Sequence, residues 1–234
     1  MPILLEVIVT SVQEAIEAKL GGADRLELVN SLEHGGLTPT LELVEEVLSA
    51  VSTPVRVMLR ENASMSVAAR SIRHLQQCAA QLGRLAIDGL VTGFVKNGDA
   101  DLAVTREILA AAPKTPVTFH RAFDHLKNQA RFLQQLQEFP CIDRVLTSGG
   151  EDSWNERKKR VIKWQRLCPP HVKMIFATGK DTSHLAELNH HPEICEVHVG
   201  RAARIPRTTS GAVNRDQVAA LKTTLNRGRA PHSP

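Results

Sequence analysis

The segment 4–9, Leu-Leu-Glu-Val-Ile-Val, is the first of eight short apolar runs along this chain. The other runs cover residues 25–30, 55–60, 89–95, 117–123, 144–149, 173–179 and 196–201. A loop and a stretch with helical spacing of apolar residues follow each run. Eight strand–helix units in 234 residues match the count and length of a (β/α)8 TIM barrel, an α/β fold. The sequence therefore predicts one barrel domain over residues 1–227 and a disordered tail at 228–234.

A doubly wound open sheet is the alternative fold for alternating strands and helices. It is disfavoured because no Gly-x-Gly-x-x-Gly stretch follows the first apolar run. Eight units, rather than five or six, also favour closure of the sheet. In a barrel, functional residues come from the carboxyl ends of the strands and the loops that follow them.

Composition limits the classes of function. Apolar residues make up 42% and charged residues 23% of the chain, as is typical of a globular protein. A net charge of +4 is too small to indicate a nucleic-acid partner. No apolar run is long enough to span a membrane, and residues 1–3 lead directly into the first strand, so we expect neither a membrane partner nor a signal peptide. The simplest expectation is a cytoplasmic protein.

The four cysteines form no Cys-x-x-Cys pair and fit no zinc motif. Three of them, Cys141, Cys168 and Cys195, should lie near the bottom of the barrel with His190 and His191. A metal cluster there is one interpretation, but buried, reduced and inert thiols are the favoured one. The sequence therefore predicts no metal site and no cofactor from its residues alone.

The sequence also marks the start of the second helix and the position of the seventh. Thr38 is the expected N-cap of the second helix, with Pro39 at its first position. A seventh helix is expected near residues 182–190, before Pro192.

Charged residues interrupt strands that should be buried on both faces. Arg25 and Glu27 lie two apart in the second strand, so their side chains share a face, as do those of Glu196 and His198 in the last strand. One interpretation is a network of ion pairs that fixes strand register, and it is the favoured one for Glu6 and Arg56, which lie deeper than the rim. The other interpretation is a polar pocket at the carboxyl ends of the strands.

The pocket interpretation assigns roles to individual residues. Candidate acid and base residues are Glu27, His120 and His198. Candidate anion-binding residues supply guanidinium groups, hydroxyls or backbone N–H groups of small residues, with one carboxylate beyond strand five: Arg25, Arg60, Arg121, Asp124, Thr147, Ser148, Gly149, Gly150, Thr178, Gly179 and Arg201. Arg204 adds positive charge near the last loop. The implied partner is a small anionic ligand, and the implied chemistry is proton transfer or a lyase-like reaction.

Several stretches resemble the CutC family of copper-homeostasis proteins. They are Leu-Glu-Val at 5–7, Gly-Gly-Ala-Asp-Arg-Leu-Glu-Leu at 21–28, Gly-Gly-Leu-Thr-Pro at 35–39, Thr-Phe-His-Arg-Ala-Phe-Asp at 118–124, Arg-Val-Leu-Thr-Ser-Gly-Gly at 144–150 and Glu-Val-His at 196–198. The resemblance covers roughly residues 3–205. It implies a (β/α)8 barrel, a homodimer and copper as the bound metal.

Two positions depart from the family pattern. The resemblance places the two cysteines proposed as copper ligands at positions 8 and 29, where this chain has Ile8 and Val29. Thiolate is the soft ligand that selects Cu(I), and an aliphatic side chain cannot replace it. The sequence therefore leaves two functions open. One is a copper-homeostasis protein with an altered copper site, and the other is a barrel enzyme or binder for a small carboxylate or phosphate. A catalytically silent scaffold is the third possibility.

Overall fold

A computed structural model describes residues 2–179 and 181–227, which form a closed parallel barrel of eight strands. The strands are β1 Leu4–Val9, β2 Arg25–Leu28, β3 Val55–Met58, β4 Gly89–Thr92, β5 Val117–Phe119, β6 Ile142–Thr147, β7 Lys173–Ala177 and β8 Glu196–Val199. Strand β1 closes the ring by pairing with β8 on one side and β2 on the other. The predicted (β/α)8 architecture is confirmed. The tail predicted at 228–234 lies outside the described residues.

Within the described ranges, seven α-helices and several short 3-10 helices surround the barrel. The α-helices are α1 Val12–Leu20, α2 Leu41–Ala50, α3 Ala69–Leu82, α4 Leu102–Leu109, α5 Gln129–Gln135, α6 Trp154–Leu167 and α7 Arg215–Asn226. The 3-10 helices are Leu32–His34, Arg121–His125, Leu136–Glu138, Leu185–His190 and Arg201–Ala203. The loops after β4 and β8 each contain a small hairpin. The first pairs Val95–Lys96 with Asp99–Ala100, and the second pairs Arg204–Ile205 with Ala212–Val213.

Two helix predictions need correction. Helix α2 is capped by Thr40, whose hydroxyl accepts from the Leu43 N–H, and not by Thr38, because Thr38 bonds to the backbone of Arg60 instead. The seventh crossover segment is a 3-10 helix, Leu185–His190, rather than an α-helix. Its N-cap residue, His184, gives no side-chain cap, and Pro192 soon ends the segment, so the full α-helical ladder has little support at either end.

The strands place apolar and charged residues on opposite faces. In β1, Leu5, Val7 and Val9 are fully buried in the main aliphatic core under the helices. Glu6, which lies between them in the strand, forms its ion pair across the barrel interior. The alternation explains why runs that should read as continuously apolar carry charges, and it places those charges inside the ring.

The described residues contain no helix that is both long and apolar enough to cross a bilayer. All four cysteines carry free thiols, and each is partly buried.

Candidate functional site

Ion pairs fill the lower part of the barrel interior. The guanidinium of Arg25 donates to Glu6 from Nε and to Glu196 from Nη2, and Arg25 is only 2% exposed. Arg144 Nε also donates to Glu196, at 2.9 Å from Oε2, the oxygen that Arg25 contacts, and at 3.2 Å from Oε1. Arg25 was a candidate for ligand binding, but the structure uses its charge to neutralise two buried carboxylates and keeps it away from the cavity wall.

A second set of ion pairs lies nearer the amino ends of the strands. Arg56 donates to both oxygens of Asp143, at 2.8 and 2.7 Å, and its Nε donates to Asp88 at 2.8 Å. Its Nη1 also donates to the Thr118 hydroxyl at 2.9 Å. Arg144 contacts Asp143 as well as Glu196, so the two sets form one network. Glu6 and Arg56 are therefore members of an ion-pair network inside the barrel, as the first interpretation of the sequence expects.

Above this network, two carboxylates share one imidazole. Nδ1 of His198 lies 2.9 Å from Glu6 Oε1 and 3.3 Å from Glu27 Oε2. Burial raises the pKa of Glu27 to about 7, and the charge of Glu6 adds to the rise against the opposing charges of His198 and Arg25. Burial disfavours the charged imidazole of His198, but Glu27 and Glu6 outweigh it and raise the His198 pKa. This arrangement places a carboxyl group whose pKa is about 7 beside an imidazole whose pKa is raised, and such a pair can exchange a proton.

Glu6, Glu27 and His198 also offer the one group of candidate metal-ligand atoms found among the described residues, all within 4.8 Å of one another. Both oxygens of Glu6 are already engaged, one by Arg25 and one by His198. A metal ion would have to displace the His198 proton and compete with a buried guanidinium. The group is therefore a self-neutralised cluster of ion pairs rather than a prepared metal centre.

Arg60, at the carboxyl end of β3, is a buried cation that has no carboxylate partner among the described residues. Its Nη1 donates to the carbonyl of Gly35 at 3.2 Å, and its Nη2 donates to the carbonyl of Ala63. The left-handed backbone of Gly35 and Gly36, with φ of 82° and 87°, forms the turn that lies against it. Arg60 is 6% exposed, and within the parts of the chain that the structure describes no carboxylate lies within ion-pair distance of it. Burial lowers its pKa.

His120, just after β5, is held rigidly. Its backbone N–H donates to the Thr92 carbonyl at 2.9 Å, and its ring Nδ1 accepts from the Ala122 N–H at 3.2 Å. The ring fits because position 93 is glycine, where an added Cβ would lie 2.8 Å from Nδ1. Burial and the Arg60 charge lower the His120 pKa to about 3. His120 was a candidate acid or base, but an imidazole that stays neutral near pH 7 is better suited to donating a hydrogen bond.

These groups meet in a cavity of about 410 Å³ at the carboxyl ends of the strands. That size suits a small metabolite. The predicted site residues on its wall are Glu27, Arg60, His120, Arg121, Gly179, His198 and Arg201. The cavity therefore brings together the three candidate acid and base residues and three of the candidate arginines.

The loop after β6, predicted to bind an anion, holds an internal carboxylate instead. Asp124 accepts from the hydroxyls of Thr147 and Ser148 and from the Ser148 N–H, at 3.1 Å for the last. The N–H groups of Gly149 and Gly150 donate to Thr147 Oγ1 and Ser148 Oγ. The loop does bind an anionic group, through two hydroxyls and one backbone N–H, but that group is a side chain of this protein, and these five residues lie outside the cavity wall.

Other predicted anion-binding residues divide between the cavity and its surroundings. The Thr178 hydroxyl is buried without a hydrogen-bond partner among the residues described, while the Thr178 N–H donates to the His198 carbonyl at 3.3 Å. Arg121 reaches the cavity but pairs with Asp124 at 3.0 Å. Arg204 lies outside the cavity wall because Glu14 binds both of its terminal nitrogens. Arg201 is exposed on the cavity wall.

The cavity wall also contains residues that sequence reasoning missed. They are Leu32, His34, Gly35, Met58, Met65, His125, Leu146, Ala177, Gly200 and Thr209. Met58 follows the strand alternation that places Arg56 inside the barrel, so its inward position was available from the sequence. Thr209 comes from the second hairpin, whose fold back over the barrel had no signal in the apolar periodicity.

Ile8 and Val29 lie in one small apolar cluster with Met58 and Val91. Ile8 also lines the cavity. The positions where the resemblance expects thiols are therefore close together at the site, and here they contribute aliphatic surface. The metal cluster considered for Cys141, Cys168 and Cys195 is not assembled in the portion of the chain described here.

Comparison with known proteins places this barrel among its relatives. The model of the CutC family matches residues 3–203. A CutC family protein of Histophilus somni is 30% identical over 197 residues, covering 83% of this chain and 81% of that protein. A CutC family protein of Xanthomonas axonopodis pv. citri is 32% identical over 208 residues, covering 86% of both chains.

A human protein named copper homeostasis protein cutC homolog is 36% identical over 152 residues, covering 64% of this chain and 55% of its own length. Among solved structures, CutC from Streptococcus agalactiae superimposes with a TM-score of 0.77 at 20% identity, covering 85% of this chain and 98% of that chain. That structural likeness supports the barrel fold.

Proposed function

Since the chain belongs to the CutC family, its barrel is the family fold, and we propose that its cavity binds a small carboxylate- or phosphate-bearing metabolite. Arg60 supplies the opposing charge, and Glu27 with His198 moves a proton on the bound molecule. The observation that carries this proposal is the buried Arg60 guanidinium, which faces three carbonyls and has an unpaired Nε among the described residues.

The energetics of burial support an anionic ligand. A buried charge without an opposite charge is strongly unfavourable, and carbonyl oxygens offset only part of the lost hydration. A bound carboxylate or phosphate can accept hydrogen bonds from a guanidinium in a favourable geometry. Arg121 and Arg201 line the same cavity and add further positive charge.

The proton-transfer step rests on the neighbouring acid and base. Glu27 Oε2 is buried and, among the described residues, lacks a hydrogen-bond partner, although His198 Nδ1 lies 3.3 Å away. A carboxylate whose pKa lies near 7 can both take and return a proton near neutral pH. His198 holds a charge that stabilises the ionised form of Glu27.

Copper handling is the second candidate function. It is favoured by the name of the human relative and by two thioether side chains, Met58 and Met65, on the cavity wall. Thioether sulfur is a soft ligand suited to Cu(I). Ile8 and Val29 argue against the thiolate pair that the family resemblance expects.

Equilibrium binding of inorganic phosphate and malonate, measured by calorimetry at pH 7, tests the first candidate. We expect Arg60→Met to weaken binding by about tenfold or more, equivalent to about 1.4 kcal/mol. Arg70→Met, at an exposed position on α3, is the matched control and should bind as the unmodified chain does.

A Cu(I) competition titration with a chromophoric chelator tests the second candidate on the same samples. Tight binding of one Cu(I) by the unmodified chain, with no measurable binding of either anion, would replace the first candidate by the second. Anion binding that depends on Arg60, without tight Cu(I) binding, supports the first.

A further inference from the structure

The imidazole of His120, a residue of the cavity wall, has a buried ring nitrogen without a hydrogen-bond partner among the described residues. Nδ1 accepts a hydrogen bond from the Ala122 N–H, so that nitrogen carries the lone pair. In the neutral ring the proton then lies on Nε2. Nε2 is fully buried and, among the described residues, has no acceptor. A buried N–H without an acceptor is rare, and here it belongs to a residue of the cavity wall.

The surroundings keep this donor neutral. The charged and titratable groups that act on His120 are Arg60, Arg121 and His125, and all three disfavour the imidazolium form. A neutral imidazole binds a carbonyl oxygen as a hydrogen-bond donor and stabilises the oxygen further as negative charge develops on it. Because Ala122 and Gly93 fix the ring, the donor is already oriented before a ligand arrives.

A carboxylate base lines the same cavity. Glu27 Oε2 has no hydrogen-bond partner among the described residues, and Glu27 comes from β2, whereas His120 follows β5. In the ring, β5 and β2 are separated by β4 and β3. The cavity therefore has a proton acceptor on one wall, an N–H donor on another and the Arg60 cation at the end of β3.

We infer that the ligand of this cavity is an α-oxo acid, and that His120 Nε2–H and Arg60 bind the oxygens on which charge develops when Glu27 removes a proton from the neighbouring carbon. This inference rests on the proposed anion-binding function and specifies its substrate class. The C–H bond breaks, its proton passes to a Glu27 carboxylate oxygen, and its electron pair forms a C=C bond as the carbonyl oxygen becomes an enolate oxygen. Return of the proton to carbon restores the keto form.

The chemistry of the donors supports this substrate class over a simple anion. A carboxylate alone would satisfy Arg60 and leave the His120 donor and the Glu27 base without a function. An oxygen on the adjacent carbon accepts from His120, and a C–H bond beside it becomes acidic enough for a carboxylate base once the oxygen is stabilised.

Binding of oxalate, a planar dianion that mimics the enediolate of an α-oxo acid, tests the inference against malonate, whose carboxylates are one carbon further apart. By calorimetry at pH 7, we expect the unmodified chain to prefer oxalate by about tenfold or more. His120→Phe should remove this preference, because it should weaken oxalate binding by about tenfold more than malonate binding. His120→Gln, whose side-chain amide can still donate, should keep most of the preference.

Two further measurements use the same variants. ¹⁵N NMR of the imidazole nitrogens should show His120 in the Nε2–H form at pH 7. In D2O, the unmodified chain should exchange the methyl protons of pyruvate, followed by ¹H NMR, and Glu27→Gln should abolish the exchange. Circular dichroism and thermal melting check that each variant is folded.

The outcomes of these experiments distinguish the α-oxo acid inference from the anion-binding function on which it rests. Equal affinities for oxalate and malonate, with Arg60-dependent binding of both, overturn the inference and leave the proposed function standing. A His120→Phe variant that weakens both anions equally shows a structural role for His120 and also overturns the inference. Absence of any Arg60-dependent anion binding overturns the proposed function and the inference together.

Discussion

Thr38 holds the backbone of Arg60 from two directions. Its hydroxyl accepts from the Arg60 N–H at 2.8 Å and donates to the Arg60 carbonyl at 3.0 Å, and the Thr38 N–H donates to the same carbonyl at 2.9 Å. The loop before α2 is thereby tied to the end of β3. These hydrogen bonds fix the Cα of Arg60. The position of its guanidinium in the cavity therefore depends on Thr38, which does not itself line the cavity.

Thr38→Val should weaken phosphate binding by about tenfold, because Arg60 loses this support. Loss of the two side-chain hydrogen bonds should also lower the free energy of unfolding by about 1–3 kcal/mol in a urea titration. Thr40→Val is the control. It removes the N-cap of α2 at a cost of about 1 kcal/mol, and it should leave phosphate affinity unchanged. Equal losses of affinity in both variants would contradict a positioning role for Thr38.

Arg25→Met should lower the free energy of unfolding by about 3–5 kcal/mol, because it leaves Glu6 and Glu196 as buried carboxylates that have lost their shared counterion. Arg121→Met breaks an ion pair with Asp124 whose arginine is 56% exposed, and it should cost about 0–1 kcal/mol. Urea titrations of both variants give the comparison. Similar small losses in both would show that the interior network contributes little to stability.

Glu27 should make the protein less stable as the pH rises. Its pKa is raised by burial from 4.5 to about 7, so the folded state binds this proton more tightly than the unfolded chain. The resulting stabilisation is complete below the unfolded value and is lost as the pH rises through about 7. His198, whose pKa is also raised, acts in the same direction. The charged groups facing Glu27 are His198, Glu6 and Arg25.

Urea titrations at intervals from about pH 5 to about pH 8 measure this dependence. The unmodified chain should lose stability across the range, and Glu27→Gln should give a flatter profile. Glu33→Gln, at an exposed position, is the control and should follow the unmodified chain. A profile that Glu27→Gln leaves unchanged would show that Glu27 does not bind its proton more tightly in the folded state.

Asp124→Ala should convert the loop after β6 into a phosphate site. The variant loses the carboxylate that accepts from Thr147 and Ser148, which should cost about 1–3 kcal/mol of stability. Phosphate can occupy the same donors and should raise the melting temperature in a concentration-dependent way. The measurement uses the Arg60→Met background, so that the cavity does not contribute, and Arg60→Met alone is the reference. The absence of any phosphate effect on melting would contradict this account of the loop.

Restoring cysteines at positions 8 and 29 should create Cu(I) binding. Ile8 and Val29 belong to one apolar cluster, so the double variant Ile8→Cys with Val29→Cys brings two thiols close together beside Met58. Competition with a chromophoric Cu(I) chelator should show tight binding by the double variant and weaker binding by either single variant. Equal affinity in the unmodified chain would mean that copper binds elsewhere.

The sequence was sufficient for the ring and for part of the cavity wall, because strand alternation and strand position decide which residues point inward at the carboxyl end. Glu27 and His198 could be placed inside the barrel from their spacing alone. Their partners depend on contacts between strands distant in the chain: Glu6 and His198 are 192 residues apart. Spacing within one strand carries no information about such a pair.

The loop after β6 shows a second limit of sequence reasoning. Thr147-Ser148-Gly149-Gly150 has the composition of an anion-binding loop, and in the structure this loop binds a carboxylate through two hydroxyls and the Ser148 N–H. Its occupant, Asp124, lies in a 3-10 helix after β5, and only the fold brings its carboxylate to these donors. Likewise, the sequence predicts His120 as a site residue, but the donor role that we infer for it depends on the Ala122 N–H and on Arg60.

Arg25 joins the first two strands of the ring to the last, through Glu6 on β1 and Glu196 on β8. Glu196 is 171 residues further along the chain, so it is the last of the three to leave the ribosome. A nascent chain that still lacks β8 contains neither the second carboxylate for Arg25 nor the His198 imidazole. Completion of the charge balance inside the ring therefore waits for the final strand, and the last residues of the cavity wall, Gly200, Arg201 and Thr209, follow that strand along the chain.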